Sequence, residues 1–226
     1  GIIKKTSLNA YSRPRANGIN AIGVRDGDRL LEARLTDGTN EIVMAVRSGK
    51  AIRFPEAKVR PMGRNASGVR AMALDTDNDE VVGMVCASSD QDSILIVSEN
   101  GYGKRTLVED YRITNRGGKG VKTLNVTEKT GDVIAIKYIT DEEDLMITTK
   151  RGIMIRMAAA DLRVMGRATQ GVRLINLKSG ESIASVAKVP ATEVLIELGI
   201  EDPTVPELGS ELGPELGPEL GSEAVE

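Results

Sequence analysis

The stretch from Gly101 to Val126 reads GYGKRTLVEDYRITNRGGKGVKTLNV. Between Gly101 and Gly120 it holds five cations, Lys104, Arg105, Arg112, Arg116 and Lys119, against two acids, Glu109 and Asp110. Its outline recurs along the chain. GIIKKTSLNAYSRPRANGINAI starts at Gly1, GKAIRFPEAKVRPMGRNASGVRAMAL at Gly49 and GIMIRMAAADLRVMGRATQGVRLINL at Gly152. The first glycines lie 48, 52 and 51 residues apart, and the second ones (Gly18, Gly68, Gly120, Gly171) lie 50, 52 and 51 apart. A period of roughly 50 residues held over four copies marks a repeat architecture.

Each first glycine sits between two apolar runs, as in EIVMAV-RSG-KAIRF from Glu41 to Phe54. A tight hairpin needs a residue of positive φ, which glycine adopts without steric cost. EIVMAV, DSILIV and EDLMIT precede first glycines, while DEVVGMVCA, GDVIAIKYI and GESIASVAKV follow second ones. These runs are short, rich in Val and Ile, and bounded by Gly, Asp and Ser, which reads as strands. The fold class is therefore all-β. About four short strands per unit predict a propeller-like ring of four-stranded blades. A β-solenoid competes, but its repeats are usually shorter.

Gly1 aligns with the middle of a hairpin whose first strand is missing, and the chain has no initiator Met. The expectation is a piece of a longer protein, with three complete units and one that lacks a strand. The repeat body is expected over residues 1–189. From Pro190, ELG recurs with Pro or Ser spacers, and there are ten acids and no base. That composition predicts an acidic, disordered tail over 190–226.

The chain has 226 residues, 30 Lys+Arg and 33 Asp+Glu, a net charge of −3. The average hides a split, because residues 1–189 carry 30 bases and 23 acids. With no histidine, histidine acid/base chemistry and His-ligated metal sites are excluded. The lone Cys86, in VVGMVCA, reads as a buried structural thiol and suits a reducing cytosol. No apolar run approaches the roughly 20 residues of a membrane span.

Charge follows the repeat. The four windows between paired glycines contain 17 bases and four acids, Glu56, Glu109, Asp110 and Asp161. The rest of the body holds 13 bases and 19 acids. Solubility does not require cations to gather at one blade position. A band of them is the electrostatic footprint of a polyanion site. The candidate phosphate contacts are Lys4, Lys5, Arg13, Arg15, Arg53, Arg60, Arg64, Lys104, Arg105, Arg112, Arg116, Lys119, Arg156, Arg163 and Arg167.

Other chemistries fit less well. Arg105 follows Gly103-Lys104 and Gly120 follows Lys119, so neither stretch has the Gly-Lys-Ser/Thr of a phosphate-binding P-loop. The acids of DTDNDE (Asp75 to Glu80) lack the glycine and terminal glutamate of a calcium loop. No catalytic or metal site emerges. With no Trp, one Phe and four Tyr, stacking platforms for single strands are scarce. There is no recognition helix for a major groove. Arg and Lys on glycine-rich turns suit the phosphates of a bent duplex, which positions DNA without reading bases.

At these residues the chain resembles the C-terminal domain of the bacterial DNA gyrase A-subunit family. The matching stretches are GIIKKTSL, VRDGDRL, RPMGRNASGVRAMAL, SENGYGKRTLVEDY, NRGGKGVKTLNV and VMGRATQGVRLINL, covering about residues 1 to 189. The resemblance implies a β-pinwheel whose blades exchange strands, of which this chain holds about the last four. It implies a basic perimeter that wraps duplex DNA and supports ATP-dependent negative supercoiling. It also implies a bacterial, cytoplasmic type II topoisomerase in which gyrase A and gyrase B subunits form an A2B2 heterotetramer. ATP and Mg belong elsewhere in that assembly, with no cofactor expected here. The family's signature box lies in its first blade; NRGGKG (Asn115 to Gly120) is similar but falls in a later one, so Arg116 and Lys119 carry over only a general DNA-contact role. The cleavage tyrosine lies in another domain, which leaves Tyr11, Tyr102, Tyr111 and Tyr138 outside catalysis. The alternatives are the equivalent domain of the topoisomerase IV A-type subunit and a propeller-like protein-interaction module.

Overall fold

Gly49, Gly101 and Gly152 turn the chain where the spacing predicts. Their φ angles are 83°, 84° and 84°. Each donates its N–H three residues back, to Val46, Ser98 and Thr149, at 3.0, 3.2 and 3.0 Å. The computed structural model describes residues 1–76 and 78–191. Of the tail expected over 190–226, everything from residue 192 lies outside the described residues. Gly1–Ala191 forms one compact unit.

In chain order the strands are β1 (Ile2–Ile3), β2 (Glu41–Val46), β3 (Lys50–Pro55), β4 (Val69–Arg70), β5 (Val81–Ala87), β6 (Ser93–Ser98) and β7 (Tyr102–Leu107). They continue with β8 (Val121–Lys122), β9 (Val133–Ile139), β10 (Glu143–Thr149), β11 (Met154–Ala158), β12 (Val172–Arg173) and β13 (Ile183–Pro190). Short 3-10 turns at Leu8–Tyr11, Glu56–Lys58 and Val108–Asp110 are the helical segments among the described residues. None is long and apolar enough to cross a membrane.

The sheets run β5-β2-β3-β8, β9-β6-β7-β12, β13-β10-β11 and β1-β4, and every pairing is antiparallel. The fourth strand of a blade comes from the following unit. After β7 the chain crosses the basic window of its own unit and lays β8 on β3 of the blade before. The pairs Lys50↔Lys122 and Ala51↔Val121 fix that register. β12 does the same to β7, and β4 to β1.

This exchange is the one that the resemblance implies, and each of the last three units supplies four strands, as the repeat predicts. Two sheets have four strands, one has three and one has two. The counterparts β5, β9 and β13 each pair with the strand before a first glycine. The corresponding stretch of the first unit, Gly27 to Leu35, pairs with no strand among the described residues, and Leu30, Leu31 and Leu35 are exposed.

Blades stack face to face, which explains the unbroken apolar runs. On β2, Ile42, Met44 and Val46 enter a cluster with Ile52, Phe54 and Met72, while Val43 and Ala45 face Ile94, Ile96 and Tyr111 of the next unit. On β6, Ile94 and Ile96 look back to Val43 and Ala45, and Leu95 and Val97 meet Leu145, Ile147 and Leu162. Both faces of the sheets built on β2 and β6 are thus covered, at about 1.5–3 kcal/mol per large aliphatic side chain. Cys86 is half-buried against the Phe54 cluster, and burial pushes its thiol up to about 11, so it is protonated at neutral pH.

Candidate nucleic-acid interface

Each basic window begins on a strand and ends at the blade before it, so its cations have two different fates. The fourth residue after each first glycine is Lys5, Arg53, Arg105 or Arg156. All four meet acids. Lys5 lies 3.7 Å from Glu56, Arg53 pairs with Glu41 and Asp90, Arg105 pairs with Asp141, and Arg156 Nε donates to Asp144 at 2.7 Å. Arg53 also donates to the carbonyls of Val108 and Tyr111, at 2.8 and 3.0 Å, which belong to the next unit.

The backbone repeats this grip. Bridges join Lys5 to Pro61, Arg53 to Ile113 and Arg105 to Val164. The carbonyls of Lys5, Arg53 and Arg105 accept the N–H groups of Met62, Thr114 and Met165 at 2.8, 2.9 and 2.8 Å. Lys5, Arg53 and Arg105 are rivets between blades, while Arg156 meets Asp144 and Pro190 of its own sheet.

One residue earlier stand Lys4 and Lys104. Lys104 is 1% exposed. Its ammonium donates to the carbonyls of Gly166, Arg167 and Thr169 and to the Thr169 hydroxyl. Burial pulls its pKa down to about 8, with Asp110 opposing and Arg167 reinforcing, so the ammonium still predominates at neutral pH. Lys4 donates to the carbonyls of Ala21 and Arg64 at 2.6 and 2.5 Å. Six of the candidate cations, Lys4, Lys5, Arg53, Lys104, Arg105 and Arg156, are thus engaged by the protein itself.

The turn-borne candidates lie differently. Arg60, Arg112 and Arg163 share the eleventh position after a first glycine, are exposed, and bond to no described residue. The side chains of Arg13, Arg15 and Lys119 are likewise exposed and hydrogen-bond to no described residue, while Lys50, helped by nearby Lys119, lowers the Asp75 carboxyl. Arg64, Arg116 and Arg167 share the fifteenth position. Arg116 donates to the carbonyls of Lys58 and Arg70, both at 3.0 Å, and Arg167 to that of Lys122 at 2.8 Å. Each guanidinium therefore rests on the main chain of the neighbouring blade, beside another cation.

Of those neighbours Lys58 lies inside a window, but Arg70 and Lys122 are residues that the windows missed. Arg70, Lys122 and Arg173 follow second glycines in GVR, GVK and GVR, and all three are exposed. The windows stopped at the glycine two residues earlier, although the same repeat alignment carried the signal. Arg173 reaches the Tyr102 hydroxyl at 2.9 Å and stacks on its ring, with Lys129 also on that ring.

Two blade junctions thus gather cations from two units: Lys58, Arg70 and Arg116 at one, Lys122 and Arg167 at the next. Of the window acids, Glu56 is buried beneath Lys5, while Glu109, Asp110 and Asp161 sit on the short turns before the exposed arginines. The arrangement offers charge and N–H donors to phosphates, and among the described residues no group of three or more His, Cys, Asp or Glu could hold a metal ion.

Strand-exchanging blades of about 50 residues, with cations repeated at their junctions, define a domain of the β-propeller class. The family model described as "DNA gyrase C-terminal domain, beta-propeller" matches residues 1–37, 40–88, 92–140 and 143–190. The chain belongs to that family. The DNA gyrase A subunit of Staphylococcus aureus (strain MRSA252) is 48% identical over 190 residues, covering 84% of this chain and 21% of the relative. The chain therefore spans about a fifth of the length of the curated relatives it matches. Among solved structures, the C-terminal domain of DNA topoisomerase IV superposes with a TM-score of 0.79 at 24% identity, over 88% of this chain and 63% of that one. The DNA gyrase A C-terminal domain gives 0.68 at 26% identity, over 76% and 58%.

Proposed function

We propose that this domain binds duplex DNA through its phosphates and bends it along the blade junctions, as the DNA-wrapping part of a gyrase A subunit. The observation that carries the reading is a repeat of exposed cations, Arg60, Arg112 and Arg163 with Arg70, Lys122 and Arg173, at the same place in successive units. A duplex that engages one junction meets the next by curving, and phosphate contacts fix its path without selecting a sequence. In the whole protein this would support ATP-dependent negative supercoiling in the bacterial cytoplasm, with gyrase B completing the assembly and ATP and Mg bound outside this domain. The 48% identity to a gyrase A protein favours gyrase over topoisomerase IV.

The test is binding of the chain to random-sequence duplex across a salt titration. Neutralising roughly six to eight phosphates predicts a log–log slope of about −5 to −7 and weak sequence preference. A slope near zero, or selection of one site from a random pool, would overturn the reading.

A further inference from the structure

We propose that Lys104, with Lys4 in the same repeat position, is a positioning residue: its ammonium, reaching from one blade, sets the conformation of the Gly-Arg loop on the next. The residue at this strand position then decides which loop sequence the following blade accepts.

All acceptors of the Lys104 ammonium belong to one loop, MGRATQG (Met165 to Gly171): Gly166 O at 2.9 Å, Arg167 O, Thr169 O at 3.2 Å and Thr169 Oγ1 at 3.3 Å. Gathering carbonyls onto a buried cation turns the loop's acceptors inward. The N–H groups of Arg167, Ala168 and Gln170 donate to no described residue, which leaves donors for an outside anion. Lys4 holds the carbonyl of Arg64 in MGRNASG (Met62 to Gly68). Arg64 and Arg167 occupy the same repeat position, and both loops close the same turn, Ala66 N–H to Gly63 O and Thr169 N–H to Gly166 O.

The loop between them differs. TNRGGKG (Thr114 to Gly120) faces Ile52, the counterpart of Lys104 on its own preceding blade. Ile52 is buried and offers no ammonium. A Cβ on Gly118 would stand 3.7 Å from Ile52 Cδ1, so the loop lies on an apolar surface. It is held instead by Gly117 N–H to Ala71 O and Ala73 N–H to Gly118 O, at 2.6 and 2.9 Å, with Gly117 at φ 86°. Lysine accompanies the MGR loops and isoleucine the NRGG loop, each through direct contact.

The clamp stands on geometry alone; its bearing on binding rests on the DNA reading above. Three variants of the whole chain separate the two. In K104M, the amides of Met165 and Thr169 are expected to exchange hydrogen at least about tenfold faster, while those of β6 hold. K104I should behave alike. Adding M165T, G166N, A168G and T169G to K104I, with Arg167 and Gln170 kept, supplies the isoleucine-type loop and should restore protection without restoring a charge. If K104I does not fold, recovery of folding in the combined variant is the readout. Unchanged loop exchange in K104M, or a combined variant no better than K104I, overturns the proposal. On random-sequence duplex, K104M should bind more weakly and the combined variant should recover. A salt slope lowered by about one in K104M with loop protection intact would make Lys104 a direct phosphate contact, and the positioning role would fall. If protection falls and returns as expected while affinity never moves, the clamp stands and the DNA role of this loop fails.

Discussion

Arg53, Arg105 and Arg156 occupy one repeat position, yet their side chains are not equally satisfied. Arg53 Nε bonds Glu41 and Arg156 Nε bonds Asp144. Both acids stand eight residues before a first glycine, where the third unit has Ser93. Arg105 Nε is buried without a partner. A buried donor left unpaired costs about 1–3 kcal/mol, and an ionised acceptor gives the stronger bond. S93D should therefore raise unfolding stability by about 1 kcal/mol net of desolvating the new carboxylate. Urea unfolding of S93D beside S93A checks this; a variant no more stable than the parent would show that Arg105 gains nothing from the acceptor. The same scale shows where sequence reading stops. Lys104, in GYGKRT, looks like a loop cation, but it lies on β7 at a position that Ile52 and Ile155 fill elsewhere. A position that takes either Lys or Ile in a repeat marks an inward side chain, and only the alignment of units carries that sign.

Among the elements, the hairpins and their glycines were legible because positive φ restricts residue choice. Exchange of the fourth strand came only from the family resemblance and not from the residue pattern, since β4, β8 and β12 are two residues long and too short to show a period. Their second glycines have two constraints at once. Gly120 has φ 73°, and a Cβ there would stand 2.3 Å from the Ala51 carbonyl oxygen on β3. Gly171 repeats this against Gly103 on β7, at 2.4 Å. Gly18 has φ 79° but nothing within 4 Å. G18A should cost only the left-handed strain, about 1–2 kcal/mol. G120A adds a main-chain collision that pushes β8 off β3, for a loss of about 3 kcal/mol or more. Thermal or urea unfolding of the two variants compares them directly, and equal losses would mean that close packing of the exchanged strand contributes nothing.

For the whole molecule, the question is whether the position of charge matters or only its amount. The charge pattern read from the sequence did locate the basic segments, but it could not separate rivets from free cations, because both are Arg or Lys within a few residues of each other. The structure allows two triple variants that remove equal charge. R60A, R112A and R163A remove one exposed, unbonded arginine from each of three successive units. R29A, R34A and R47A remove arginines that already face acids: Arg29 with Glu80 at 3.6 Å, Arg34 with Glu32 at 2.9 Å and Arg47 with Asp132 at 2.9 Å. Neither set enters a core cluster, and exposed pairs of this kind contribute about 0–1 kcal/mol each, so both variants should fold. An arginine that already neutralises a carboxylate has little counterion-releasing power left for a phosphate. An unpaired one keeps all of it, and the log–log salt slope falls by about 0.9 for each phosphate left without its cation. The unpaired set should therefore flatten the slope by up to about three and weaken every duplex sequence alike, whereas the paired set should change it by less than about one. Salt titrations on random-sequence duplex, with circular dichroism to establish folding, decide between them. Equal flattening by both sets would mean that DNA responds to net charge alone, and the repeat of Arg60, Arg112 and Arg163 would be a solvated face rather than a track.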